Sequence, residues 1–102
     1  MDRLELAVAD ALLLFDGAVV EVFRTGYTHP TRTPAAWIAV KVEPRKHDRV
    51  RLTLGRTEQT DRPLYGPDVA LSWSDMVFEL DATDEPQVRA FFATVAGARN
   101  RV

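Results

Sequence analysis

The pair Asp16-Gly17 stands between two apolar runs, Ala11-Leu12-Leu13-Leu14-Phe15 and Ala18-Val19-Val20-Glu21-Val22-Phe23. Taken alone, the N-terminal stretch is ambiguous. Leu4, Leu6 and Val8 alternate at the strand period, yet Leu4, Val8, Ala11, Leu12 and Phe15 also fall at helical spacing. The Asp-Gly pair resolves the choice, because it supplies the positive φ of a two-residue type I′ hairpin, which needs a strand on either side. Residues 11–15 and 18–24 are therefore predicted to be antiparallel partners. Val20 and Val22 share one face, and Val19, Glu21 and Phe23 share the other.

Beyond a Gly-, Pro- and Thr-rich loop over residues 25–34, the strand period returns. Ile38, Val40 and Val42 alternate inward along residues 36–43, as do Val50, Leu52 and Leu54 along 49–54, with a polar connector at 44–48. These segments predict a second hairpin. Residues 56–67 read as a long loop with at most a short edge strand near Leu64-Tyr65. Residues 69–73 and 76–80 supply two more short strands.

The period then changes. Asp84 and Gln87 form a capping-box pattern, Pro86 suits a first helical turn, and Gly97 is the expected stop. Between them Val88, Phe91, Phe92 and Val95 recur at i, i+3, i+4, i+7, an apolar stripe that must lie on something. The stripe with Phe91 and Phe92 is expected in the core; adjacent phenylalanines cannot both point to the centre of one face, which leaves one of them able to reach a neighbouring chain. The whole pattern predicts a single α+β domain over residues 1–102, with about six or seven short antiparallel strands and one C-terminal amphipathic helix.

A chain of 102 residues can bury roughly 60–70% of its unfolded surface without staples. It has no cysteine, which excludes disulfides, thiolate metal sites and thiol catalysis. No run approaches the roughly 20 apolar residues of a membrane span, and Met1-Asp2-Arg3 lacks the basic start of a signal peptide. A soluble, cytoplasmic protein is the expectation.

Strands first and one capping helix last is the element order of pleckstrin-homology-like domains, whose helix plugs an open corner of a bent sheet. At residue level the chain resembles the bacterial DUF4429 family, which is assigned to that superfamily. The resemblance rests on Phe15-Asp16-Gly17, Val20, Val22 and Arg24-Thr25-Gly26-Tyr27, with weaker colinearity through Met76-Val77-Phe78 and residues 86–96. It implies a pleckstrin-homology-like bent β-roll, or partly open barrel, and no catalytic residue.

A net charge of -2 argues against nucleic acid as a partner. The charge is uneven, however: residues 24–62 carry nine basic and four acidic groups. Lys41, Arg45, Lys46, Arg49 and Arg51 concentrate on the second hairpin and form the candidate anion or lipid patch. Pairing Glu43 with Arg49 would place Lys41 opposite Arg51, which is unfavourable unless solvent or an anion separates them. The spacing of Lys41, Arg49 and Arg51 is also similar to that by which eukaryotic pleckstrin-homology domains clamp inositol phosphates. Set against Glu43 and Asp48, the five cations leave a local charge of about +3, worth about 3 kcal/mol at an anionic leaflet. That is only about two decades of affinity.

Nothing in the chain points to an enzyme, and neither a cofactor nor a metal is expected. His29 and His47 lie in different loops without ligand spacing, and Ser72 and Ser74 flank Trp73 without a nucleophile elbow. Asp81, Asp84 and Glu85 are accounted for by helix capping and the helix dipole. By alternation Trp37 faces away from Ile38; it is either an exposed partner surface or covered by loop 56–67. Trp73 is expected in the core. The expected function is a non-enzymatic interaction module for protein–protein recognition or self-association, through a strand edge or the surface around Trp37. The alternative is weak anionic-lipid or phosphate-ligand binding through the basic hairpin.

Overall fold

Leu4–Val8 (β1), Ala11–Phe15 (β2), Val19–Arg24 (β3) and Thr31–Pro34 (β4) lie side by side in chain order as one antiparallel sheet. The computed structural model describes residues 3–99; Met1 and Asp2, part of the signal-peptide reading, lie outside the described residues. Ile38–Arg45 (β5), Arg49–Arg56 (β6), Tyr65–Gly66 (β7) and Trp73–Asp81 (β8) build a second sheet in the order β7-β5-β6-β8. The chain then enters the helix Glu85–Arg99 (α1). The fold is α+β, with eight strands rather than six or seven, in two four-stranded sheets that do not close into a barrel; the expected antiparallel pairing holds except between β5 and β7, which are parallel.

The expected inward faces are largely kept, but the alternation is not strict: Val42 is only half-buried, and Ala39 and Thr53 on the opposite faces are buried as well. Val20, Val22, Ile38, Val40, Val50, Leu52 and Leu54 are all buried in one core between the sheets. Two segments depart from expectation. Thr31–Pro34, expected as loop, pairs with β3 because threonine suits a pleated surface and Pro34 sits at the strand's end, on a sheet edge. Residues 69–72 form no strand, and β8 runs unbroken for nine residues, with a bulge opposite Leu54/Gly55.

The Asp16-Gly17 turn differs from the expected two-residue loop. Phe15 pairs with Val20, so four residues, Asp16 to Val19, lie between the last paired residues, and among them Gly17 has a positive φ of 102° whereas Asp16 does not. Asp16 acts through its side chain instead: Oδ1 accepts the Ala18 and Val19 N–H groups, each at 2.8 Å. The two-residue hairpin lies earlier, at Ala9-Asp10, where Val8 pairs with Ala11 and Ala9 takes a φ of 52°. That left-handed alanine is held by its neighbour. The Asp10 carbonyl accepts the Thr25 N–H at 3.1 Å, and its carboxylate meets Arg24 Nε at 3.2 Å.

The helix lies against β1 and β7, one edge strand from each sheet, and so spans the gap between them. This explains how adjacent phenylalanines are both buried, at 3% and 0% exposure, with neither left to reach another chain. A helix seated between two sheets buries a wider stripe than one lying on a single row. The Phe92 ring stacks on Tyr65 at 5.6 Å and meets Phe91 edge-on at 5.1 Å. The Tyr65 hydroxyl donates to Glu85 Oε2 at 2.6 Å; burial first, then this bond, push its pKa up. The helix also runs past Gly97. Arg99 Nε donates to the Ala35 carbonyl at 2.9 Å and Nη2 donates to that of Ile38, so the last turn is tied to the chain entering β5. No helix among the described residues is long and apolar enough to cross a membrane.

The two N–H donors, Val19 then Ala18, hold the Asp16 pKa below its ordinary 3.8. A depressed folded pKa means a contribution that is present above 3.8 and lost as pH falls through the folded value. Asp16→Ala should therefore cost about 1 kcal/mol at neutral pH, less than the ~1.5–3 kcal/mol of a bond to a charged group because the turn is exposed. In urea titrations the gap to wild type should close below pH 3.8. A gap independent of pH would remove the carboxylate from this turn.

Candidate interaction surface

The basic hairpin has a different register from the one its sequence suggests. His47 and Asp48 adopt left-handed φ values of 62° and 56°, a region in which His and Asp are enriched. They close the turn within three residues, so Arg45 pairs with Arg49, Glu43 with Arg51, and Lys41 with Thr53. Lys41 and Arg51 are not opposite each other. Arg51 instead lies between Glu43 and Glu79 across three strands, with Nη2 at 3.6 Å from Glu79 Oε2. Arg49 Nη1 meets Asp81 Oδ1 at 3.3 Å, so Asp81 serves this pair rather than the helix start.

Strand β8 thus brings two carboxylates to the patch that local sequence could not assign to it. Glu43, Asp48, Glu79 and Asp81 against the five cations leave about +1, worth about 1 kcal/mol at an anionic leaflet. Lys41, Arg45 and Lys46 enter no ion pair among the described residues. The adjoining cavity, about 530 Å³, is lined by Arg24, Arg49 and Arg51. Each of these three arginines carries its own carboxylate partner.

The tryptophans form the other surface. Trp37 is 51% exposed and, contrary to the core expectation, Trp73 is 65% exposed. Loop 56–67 does not cover Trp37. Both indoles line one groove of about 570 Å³, with Arg56, Thr57, Glu58, Thr60 and Ser72 completing its walls.

Three strand ends position these groups. Trp37 closes a turn through its N–H to the Pro34 carbonyl, and its own carbonyl accepts the Thr57 N–H at 2.9 Å, extending the β5–β6 ladder. Arg56 pairs with Trp73, and the Arg56 carbonyl accepts the Ser72 N–H. The polar wall is locked as well: Glu58 N–H donates to Ser72 Oγ at 3.2 Å, and Gln59 N–H to Thr57 Oγ1 at 2.9 Å. Arg56 is held by Asp75 at 3.8 Å and by the Arg32 carbonyl at 3.3 Å.

Gly55 sets the position of Trp73. A Cβ on Gly55 would overlap the Trp73 main-chain carbonyl, so β8 can approach β6 this closely only where the facing residue has no side chain. Sequence reasoning missed Trp73 and Gly55. The available signal was Ser72-Trp73-Ser74-Asp75, a polar frame unsuited to a core tryptophan, together with a glycine inside a strand.

Strand edges, the other expected docking element, are each partly guarded. Helix α1 lies on β1 and β7. Arg24 Nη1 donates to the Val77 carbonyl of β8 at 2.7 Å, while β4 ends in Pro34 and gives its Arg32 carbonyl to Arg56. Such guards are how sheets block edge-to-edge addition. Elsewhere, the described residues contain no group of three or more His, Asp or Glu placed to hold a metal ion. Ser72 Oγ accepts from Glu58 N–H, and Ser74 lies in the β6–β8 ladder opposite Gly55. No family model, curated protein or solved structure matches the chain.

Two outcomes follow from this geometry. Gly55→Ala should cost about 1–3 kcal/mol and shift the tryptophan emission, as expected for overpacking. Gly97→Ala, at a helical site with nothing within 4 Å, should instead be neutral or stabilising. Equal effects would break the link between Gly55 and Trp73. In liposome sedimentation at low salt, wild type should favour anionic over neutral vesicles by no more than about fivefold, the ~1 kcal/mol of its residual charge. Glu79→Gln with Asp81→Asn should gain about 2 kcal/mol toward anionic ones, roughly thirtyfold.

Proposed function

We propose that this protein is a non-enzymatic interaction module of the cytoplasm that recognises a protein partner, or a second copy of itself, through the groove between Trp37 and Trp73. One observation carries the reading: two large aromatic side chains, more than half exposed, line a single groove with a locked polar wall. Tryptophan is the residue most enriched at binding hot spots, and exposing two of them side by side costs solvation that a partner would recover. The partial guarding of the edges favours this groove over strand addition. The carboxylates beside Arg49 and Arg51 weigh against the anionic-surface alternative.

Kinship with the DUF4429 family and its pleckstrin-homology-like architecture belongs to the same proposal. Its support is the resemblance around Asp16-Gly17 and the helix seated across the gap between two sheets.

The test joins light scattering with selection from a random-peptide display library, using Trp37→Ala and Trp73→Ala as counter-selection. The expected result is either a dimer that dissociates on substitution or peptides that bind wild type and lose the variants. A monomer that selects nothing, or peptides held equally by the variants, would overturn the proposal.

A further inference from the structure

We propose that the groove takes an extended, proline-rich segment of a partner protein that carries a basic residue beside its prolines. The inference rests on the groove being a docking surface and adds the chemistry of its occupant.

Spacing is the first argument. Trp37 precedes β5 and Trp73 opens β8, with the end of β6 between them. Neighbouring strands lie about 4.8 Å apart, so the two indoles rise from main chain about 10 Å apart. A polyproline II helix repeats every three residues at about 3.1 Å each, roughly 9 Å. Prolines on one face of such a helix therefore match the two aromatic walls. Aromatic-lined grooves suit this conformation because it is already extended and loses little entropy on docking.

Hydrogen bonding is the second. The Trp37 carbonyl is taken by Thr57 N–H, and the Arg56 carbonyl by Ser72 N–H, so the groove floor offers an incoming strand no ladder there. Its available donors are side chains. Among the described residues neither indole N–H has a protein acceptor, and an indole N–H is a donor only. Polyproline II main chain makes no internal hydrogen bonds, so its bare carbonyls are acceptors for such donors.

Charge gives the basic residue. Arg56 is engaged by Asp75 and the Arg32 carbonyl, whereas Glu58 enters no ion pair among the described residues. The groove therefore presents an unmatched carboxylate, and a ligand arginine can also stack on an indole face.

The probe is a synthetic peptide of repeated Pro-Pro-Arg, compared with analogues replacing Pro by Ala or Arg by Glu. Binding is read by intrinsic tryptophan fluorescence and by calorimetry. The Pro-Pro-Arg peptide should bind, and each analogue should bind at least about tenfold more weakly. Trp73→Ala should weaken it about thirtyfold, a hot-spot loss. Glu58→Lys, on an exposed turn, should reverse the preference between the Arg and Glu peptides. Equal binding of the Ala analogue, or no reversal by Glu58→Lys, overturns the inference. So do display peptides that depend on both tryptophans but lack proline, or a dimer in light scattering; either leaves the docking surface itself standing. A selection that enriches nothing from a monomer brings down both.

Discussion

Helix α1 closes the shared core of the two sheets by lying across one edge strand of each. Its stripe of Val88, Phe91, Phe92 and Val95 is buried to 3% exposure or less, and it lies against the edge strands β1 and β7. Full burial of each such side chain stabilises by about 1.5–3 kcal/mol, so this stripe is a large share of a small domain's net stability. The ties at its ends serve the same contact. Tyr65 binds Glu85 in the first turn while stacking on Phe92, and Arg99 reaches the carbonyls of Ala35 and Ile38 from the last. The second tie reaches the main chain just before and just after Trp37. Core and groove are thus connected through a few residues.

Cross-strand pairing decides what the surface charges do. Arg49 and Arg51 lie on a strand whose far neighbour, β8, comes almost thirty residues later in the chain. That neighbour presents Glu79 and Asp81 in register, converting a run of cations into rows of alternating sign. Arg24 does comparable work across a longer separation. It binds Asp10, donates to Val77 and lies over Phe78 at 5.6 Å, holding the left-handed Ala9 turn and guarding the β8 edge together.

The groove depends on one glycine in the way the core depends on one helix. With no Cβ at Gly55, β8 approaches closely and bulges, and Trp73 emerges at the rim facing the cavity that Trp37 lines. The polar wall is fixed by local bonds through Thr57 and Ser72, so the surface is organised without a ligand. A preformed site loses less conformational entropy on binding than a mobile one.

Alternation and helical periodicity by themselves determined much of this protein. The inward faces of β3, β5 and β6, the helix with its buried stripe, and the α+β class follow from spacing that any short window reveals. The turn at Asp16 was legible in place but not in form, because the Asp16 side-chain acceptor and the positive-φ Gly17 close it together over a longer connection than the pair alone implies. Only the tertiary structure decided that Thr31–Pro34 is a strand, that Phe91 and Phe92 are both interior, that Arg49 and Arg51 are neutralised, and that Trp73 is outside. Each depends on a neighbour distant in sequence: β3 beside β4, two sheets around one helix, β8 beside β6, and Gly55 beneath the Trp73 carbonyl. Periodicity records which way a residue points from its own strand or helix. What it then meets is set by register and packing between elements, which no local pattern encodes.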